Sequence, residues 1–122
     1  MYRKPIILTN DSLFEGVYAA SGCYTATAYI HQKPETGRGD YRIQVNAKHD
    51  ADHTNKTQWL HISFNMPVKY GSSQGSLVSG DGTSTLVIQF NYNQNQSDNI
   101  GFGDLAVEAD QGLAITAVSF TD

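Results

Sequence analysis

The chain is expected to be an all-β protein: a single-domain antiparallel β-sandwich, Ig-like or jelly-roll-like, with about seven to nine strands. Three observations predict this. Apolar residues recur at every second position in stretch after stretch, the pattern of strands with one buried face. Charged residues make up only 16% of the 122, and 11 Gly stand against 3 Pro in a chain rich in Asn, Gln, Ser and Thr, a balance that favours turns and strands over helices. No stretch carries the period of a long helix, and no repeat is present.

The first segment, MYRKPIILTNDSLFEGVYAASG, has one short apolar run, Ile6 to Leu8. Asn10 to Ser12 then offers an N-cap ahead of Leu13, Phe14 and Val17, compatible with a short helix or a strand. With Glu15 upstream and Ala19-Ala20-Ser21-Gly22 at its end, the segment resembles a double-glycine-type leader of peptides exported by peptidase-containing ABC transporters. That resemblance implies cleavage after Gly22 and a division into a leader-like segment, 1–22, and a sandwich domain, 23–122. The residues alone equally allow a first strand that adds to the sandwich. The N-terminus is too short and too weakly apolar for a Sec signal, so export would use a non-Sec route, and no stretch is long enough to be a membrane span.

From Cys23 onward the strands are regular. Tyr24, Ala26, Ala28 and Ile30 share one face; after the loop KPETGRG, Tyr41, Ile43, Val45 and Ala47 share another, and Pro34, Gly37 and Gly39 make the two a hairpin. The polar loop KHDADHTNKT leads to a strand with Leu60, Ile62, Phe64 and Met66 on one side, closed by Pro67. GSSQGSLVSGDGTS is a glycine-rich loop or weak hairpin with a turn at Gly80-Asp81-Gly82. Leu86, Ile88 and Phe90 alternate next, and Leu105, Val107 and Ala109 follow a polar turn, so residues 86–109 are expected to fold back as a strand pair around which the others arrange. Leu113 and Ile115, then Val118 and Phe120, form a last strand with a bulge where the alternation slips. Cys23 is the single cysteine and reads as a small buried hydrophobe.

The order of Cys23-Tyr24, the Gly37 to Tyr41 hairpin, Trp59-Leu60-His61-Ile62-Ser63-Phe64, Pro67 and Ile100-Gly101-Phe102-Gly103 resembles the secreted β-sandwich modules typified by bacterial cellulose-binding modules of family 2. The resemblance implies a sandwich that is secreted or displayed on a cell surface and binds polysaccharide. The row of exposed tryptophans that grips cellulose in such modules has no counterpart in KPETGRGDY, and the second cysteine of their usual bridge is missing.

Strand parity also identifies the side chains facing away from the core: Tyr29, Arg42, Gln44, Asn46, Trp59, His61, Gln89 and Asn91. If their strands lie side by side, one sheet surface presents amides, an arginine and aromatic rings, chemistry that bonds sugar hydroxyls and stacks on pyranose rings. The competing reading leaves that face simply solvated and places Trp59 in the core through a local bulge. His49-Asp50-Ala51-Asp52-His53 reads as a solvated loop with the donors for Ca²⁺ or Zn²⁺, and Asp81, Asp98 and Asp104 sit in turns that suit Ca²⁺. Otherwise no cofactor is expected. Arg38-Gly39-Asp40 places an adhesion-type tripeptide on the hairpin, and Asn10, Asn55 and Asn95 head N-glycosylation patterns.

Net charge is -4 with no basic stripe, which argues against nucleic acid as a partner. No nucleophile elbow, phosphate loop or paired acid and base is present, so no enzyme is expected. The chain is therefore expected to be a non-catalytic extracellular binding module, its partner a glycan. The alternative is a structural surface protein that forms homo-oligomers through its N-terminal strand or a sheet edge.

Overall fold

A computed structural model of the chain describes residues 16–49, 57–70, 78–79, 82–90 and 99–122, with side chains at all of these except 78–79 and 99–104. The described residues form nine strands: β1 Val17–Ala20, β2 Tyr24–Gln32, β3 Gly39–His49, β4 Gln58–Phe64, β5 Lys69–Tyr70, β6 Val78–Ser79, β7 Thr85–Phe90, β8 Asn99–Ala109 and β9 Ile115–Thr121. All pairings are antiparallel. One sheet runs β1-β2-β3-β8-β5 and the other β6-β7-β4-β9, and the two pack as a β-sandwich.

The core is what strand alternation dictates. Tyr24, Ala26, Ala28 and Ile30 of β2 and Tyr41, Ile43, Val45 and Ala47 of β3 are buried from the first sheet, joined by Leu105, Val107 and Ala109 of β8. Leu60, Ile62 and Phe64 of β4 and Leu86, Ile88 and Phe90 of β7 meet them from the second. The slip in β9 is a bulge: Ser63 pairs with Ala117 but Phe64 with Ile115, leaving Thr116 as the extra residue. It carries the inward set from Ile115 to Val118 and Phe120. A second bulge falls in β8, where Val45 pairs with Gly103 and Asn46 with Gly101.

Several expectations are corrected. Residues 86–109 do not fold back on themselves: β7 belongs to the second sheet and β8 to the first, so the connection between them crosses the sandwich. A period of two reports a buried face, not the sheet that the face belongs to. Val17–Ala20 pairs with β2, as in the reading of that segment as a strand that adds to the sandwich; residues 1–15, and with them most of the leader-like segment, lie outside the described residues. His49 is not a loop residue. It continues the inward parity of β3, is 1% exposed, and sits edge-on to the Tyr24 ring at 5.2 Å. Cys23 is half-buried against the core.

The two ends of the sandwich are closed differently. At one end the β1–β2 turn is tied to the second sheet: the Ser21 hydroxyl donates to Gln58 Oε1, and the Gln58 amide donates to Asp122 Oδ1. Gln58 is buried, so these bonds satisfy an amide that would otherwise be stranded beside the core. Tyr24, Phe90 and Phe120 fill this end with rings packed edge to face and stacked. At the other end Asn65 holds the β8–β9 turn, accepting from the Ala114 N–H at 2.9 Å and donating to the Gly112 carbonyl at 2.8 Å.

Candidate functional site

Of the eight residues expected on one surface, the seven that are described divide between two. Tyr29, Arg42, Gln44 and Asn46 lie on β2 and β3 of the first sheet, whereas Trp59, His61 and Gln89 lie on β4 and β7 of the second. Their outward parity is as expected, but the outer faces of a sandwich point in opposite directions, so no single ligand of sugar size touches both groups. Asn91 lies outside the described residues.

On the second sheet, Trp59 pairs with Gln89 on β7 and with Thr121 on β9. These three form one rung of the outer face, with the indole between an amide and a hydroxyl. His61 occupies the next outward position of β4, opposite Val87 and Ser119, and its Nε2 lies 2.7 Å from Thr121 Oγ1 in a hydrogen bond. Trp59 is half-buried and its neighbour Leu60 fully buried, which removes the reading in which a bulge turns Trp59 into the core. Among the described residues, no outward position of β4, β7 or β9 carries a formal charge. This face offers one flat ring and a surround of amide, imidazole and hydroxyl groups.

The outer face of the first sheet has a different character. Tyr18 of β1, 54% exposed, stands opposite Thr27, and Thr27 opposite Asn46. Tyr29 faces Gln44, whose amide donates to Asn46 Oδ1 at 3.2 Å. The Tyr29 ring meets His31 edge-on at 6.4 Å, where a register shift makes His31 the extra residue of β2. Asp40, Arg42, Lys48 and Glu108 are exposed on the same sheet, so this face is charged as well as polar.

Among the described residues no group of three or more His, Cys, Asp or Glu could hold an ion. His49 is committed to the aromatic cluster. Asp50, Asp52, His53, Asp81 and Asp98 lie outside the described residues, as does the side chain of Asp104. The three N-glycosylation asparagines also lie outside them.

The adhesion-type tripeptide is not displayed on a hairpin tip. Gly39 and Asp40 are already in β3, laddered to Ala109 and Glu108. Arg38 forks onto Asp110, with Nε to Oδ1 at 2.9 Å and Nη2 to Oδ2 at 3.3 Å. The Arg38 hydrogen bond holds the Asp110 carboxyl below the usual carboxylate range, helped by the Gln111 N–H and by the guanidinium charge. Tyr41 completes this corner by donating its hydroxyl to the Gly37 carbonyl. No strand pattern signals the Arg38–Asp110 pair in advance, because it joins a loop to a turn 72 residues away.

No helix among the described residues is long and apolar enough to cross a membrane. In comparison with known proteins the chain matches no family model, no curated protein and no solved structure, so the geometry of these two faces and of the Arg38 corner is what bears on function.

Proposed function

We propose that the chain is a non-catalytic binding module, secreted or displayed at a cell surface, that holds an uncharged glycan on the outer face of the second sheet. The observation that supports this reading is the rung Gln89–Trp59–Thr121 with His61 beside it, on a face whose described outward positions carry no formal charge. An indole is an amphipathic, rigid platform for the apolar face of a pyranose ring, and the neighbouring amide, imidazole and hydroxyl groups both donate and accept, as sugar hydroxyls require. A neutral ligand loses least by leaving water for a surface without charges to desolvate. The resemblance to cellulose-binding modules agrees with a glycan ligand, and the single indole favours a soluble chain or its end over a crystalline surface.

The test is a panel of neutral oligosaccharides and insoluble polysaccharides, with Trp59→Ala, Trp59→Phe and Tyr29→Ala beside the wild type. Binding that falls roughly tenfold or more in Trp59→Ala, partly returns in Trp59→Phe and is unchanged in Tyr29→Ala is expected. Equal loss in Trp59→Ala and Tyr29→Ala, or no saturable binding to any neutral glycan, overturns it.

One feature bears on the assembly alternative: among the described residues β1 and β5 end the first sheet and β6 and β9 the second, and β1 and β9 lie against each other, which leaves the β5 and β6 edges for a second copy. Edge strands are where a second copy adds by backbone pairing. Light scattering on the full chain distinguishes the two readings, since the module reading requires no defined oligomer.

A further inference from the structure

Trp59 stands between two polar neighbours on one rung, Gln89 of β7 on one side and Thr121 of β9 on the other, each one strand spacing away, about 4.8 Å. The two are not held alike. Thr121 Oγ1 lies 2.7 Å from His61 Nε2, and the bond runs diagonally, since the β9 residue directly opposite His61 is Ser119. The imidazole therefore leans toward the indole rung and fixes the hydroxyl beside it. Whichever tautomer is present, that hydroxyl keeps a role for a ligand: it accepts when its own hydrogen is on Nε2, and it also donates when Nε2 carries the hydrogen. Among the described residues nothing holds the Gln89 amide, which is free to turn toward a ligand.

A pyranose stacked on an indole turns a face of axial hydrogens to it and sends its equatorial hydroxyls outward in the plane of the ring. In the gluco configuration every ring hydroxyl is equatorial; in the manno and galacto configurations one is axial. Stacking alone does not separate the three, because each epimer still has one face without the axial hydroxyl to lay on the indole. Gln89 does not separate them either, since an amide that turns reaches a hydroxyl in either orientation. A hydroxyl fixed beside the indole accepts a partner only in its own direction. A sugar that misplaces that partner leaves the Thr121 hydroxyl covered and unanswered. The ordering of Thr121 is already achieved by His61 before any ligand arrives.

We propose that Thr121, positioned by His61, selects the ligand of this face, and that the ligand is a gluco-configured sugar with every ring hydroxyl equatorial. This rests on the glycan reading above and names its substrate class. Trp59 supplies the stacking surface and Gln89 an adaptable hydrogen bond, so both act on affinity. Thr121 acts on the choice between epimers, and His61 acts through Thr121. Thr121 is exposed and His61 half-buried, so the selecting bond competes with water and the preference is roughly fivefold.

The experiment is an amide chemical-shift titration of the full chain with the methyl β-glycosides of D-glucose, D-mannose and D-galactose, for the wild type, Thr121→Val, Thr121→Ser, His61→Ala and His61→Gln. The wild type is expected to bind the glucoside roughly fivefold more tightly than either epimer, with saturable shifts centred on Trp59, Gln89 and Thr121. Thr121→Val should bring the glucoside down to the level of the epimers, whereas Thr121→Ser, which keeps the hydroxyl, should keep the preference. His61→Ala should shrink the preference, and His61→Gln, which reaches the same hydroxyl, should restore part of it. A merely structural role for either residue moves all three sugars together and leaves their ratio as it was, and the rest of the spectrum shows that the fold persists. Equal affinity for the three sugars, tighter binding of an axial epimer, or a preference that survives Thr121→Val overturns this inference and leaves the glycan reading standing. Absence of saturable shifts with all three also overturns it, and absence across the oligosaccharide panel as well overturns the glycan reading with it.

Discussion

Trp59 and Leu60 are adjacent in the chain and face opposite ways, which makes the pair the sharpest probe of the sandwich geometry. Leu60 is fully buried between the sheets. Leu60→Ala removes three carbons and leaves a cavity that the strands on either side cannot close, at a cost of about 3–4 kcal/mol. Trp59→Ala removes a half-buried ring on the outer face, whose rung neighbours are Gln89 and Thr121. Two cross-strand contacts of about 0.2–1 kcal/mol each set a loss near 1 kcal/mol. For a chain of 122 residues, 1 kcal/mol moves the melting temperature by about 4 °C, so the expected shifts are about 4 °C for Trp59→Ala and roughly 12–16 °C for Leu60→Ala. Thermal unfolding followed by far-UV circular dichroism measures both without relying on the indole. Since Trp59 is the only tryptophan, acrylamide quenching of the wild type reports its exposure independently. If Trp59→Ala costs as much as Leu60→Ala, the indole is a core residue, and both the parity of β4 and the proposed glycan face fall.

Three further outcomes follow from local geometry. Gly16 has φ near +67°, and a Cβ there would collide with Thr27 Cγ2, so Gly16→Ala should cost about 2–4 kcal/mol; Gly82→Ala, with a similar φ but open space, should cost only about 1–2 kcal/mol, as urea unfolding would show. Gln58→Ala breaks the tie from Ser21 to Asp122 and should lose about 2 kcal/mol at two hydrogen bonds, which denaturant titration would resolve. The lowered Asp110 carboxyl makes its contribution at pH values above the ordinary aspartate range, and the contribution disappears as pH falls through the lowered value in the folded protein. Both partners are largely exposed, so the effect is small and screened by salt; comparing the urea midpoint of Asp110→Asn with wild type at pH 6 and pH 3 should show a difference at the higher pH that shrinks at the lower.

Which residues face the core was legible in the sequence strand by strand, because burial of one face imposes a period of two that needs only local information. The bulge in β9 was legible for the same reason: the inward set breaks step between Ile115 and Val118, and the ladder does so at Thr116. Sheet membership was not. NYNQNQSD after Phe90 is as polar as a hairpin turn and as polar as a crossing loop, and nothing in it tells β8 to pair with β3 rather than with β7. For that reason the expected site kept its outward residues but lost its unity, with Tyr29, Arg42, Gln44 and Asn46 on one side of the molecule and Trp59, His61 and Gln89 on the other. The Arg38 corner left no pattern at all, since its forked pair joins a loop to a turn 72 residues away.

The crossing between β7 and β8 also bears on how the chain comes together in time. Counted along the sequence, the strands switch sheets after β3, β4, β5, β7 and β8. Neither sheet finishes before the last quarter of the chain arrives: β3 waits for β8, and β4 has one side uncovered until β9. The β2–β3 hairpin can form early, but it then presents an apolar face and an unpaired edge with nothing local to cover them. Folding in the millisecond-to-second regime of non-local β proteins follows. During synthesis, the interval in which this hairpin is complete and β8 is still to come is when the chain is most exposed to pairing with a neighbour.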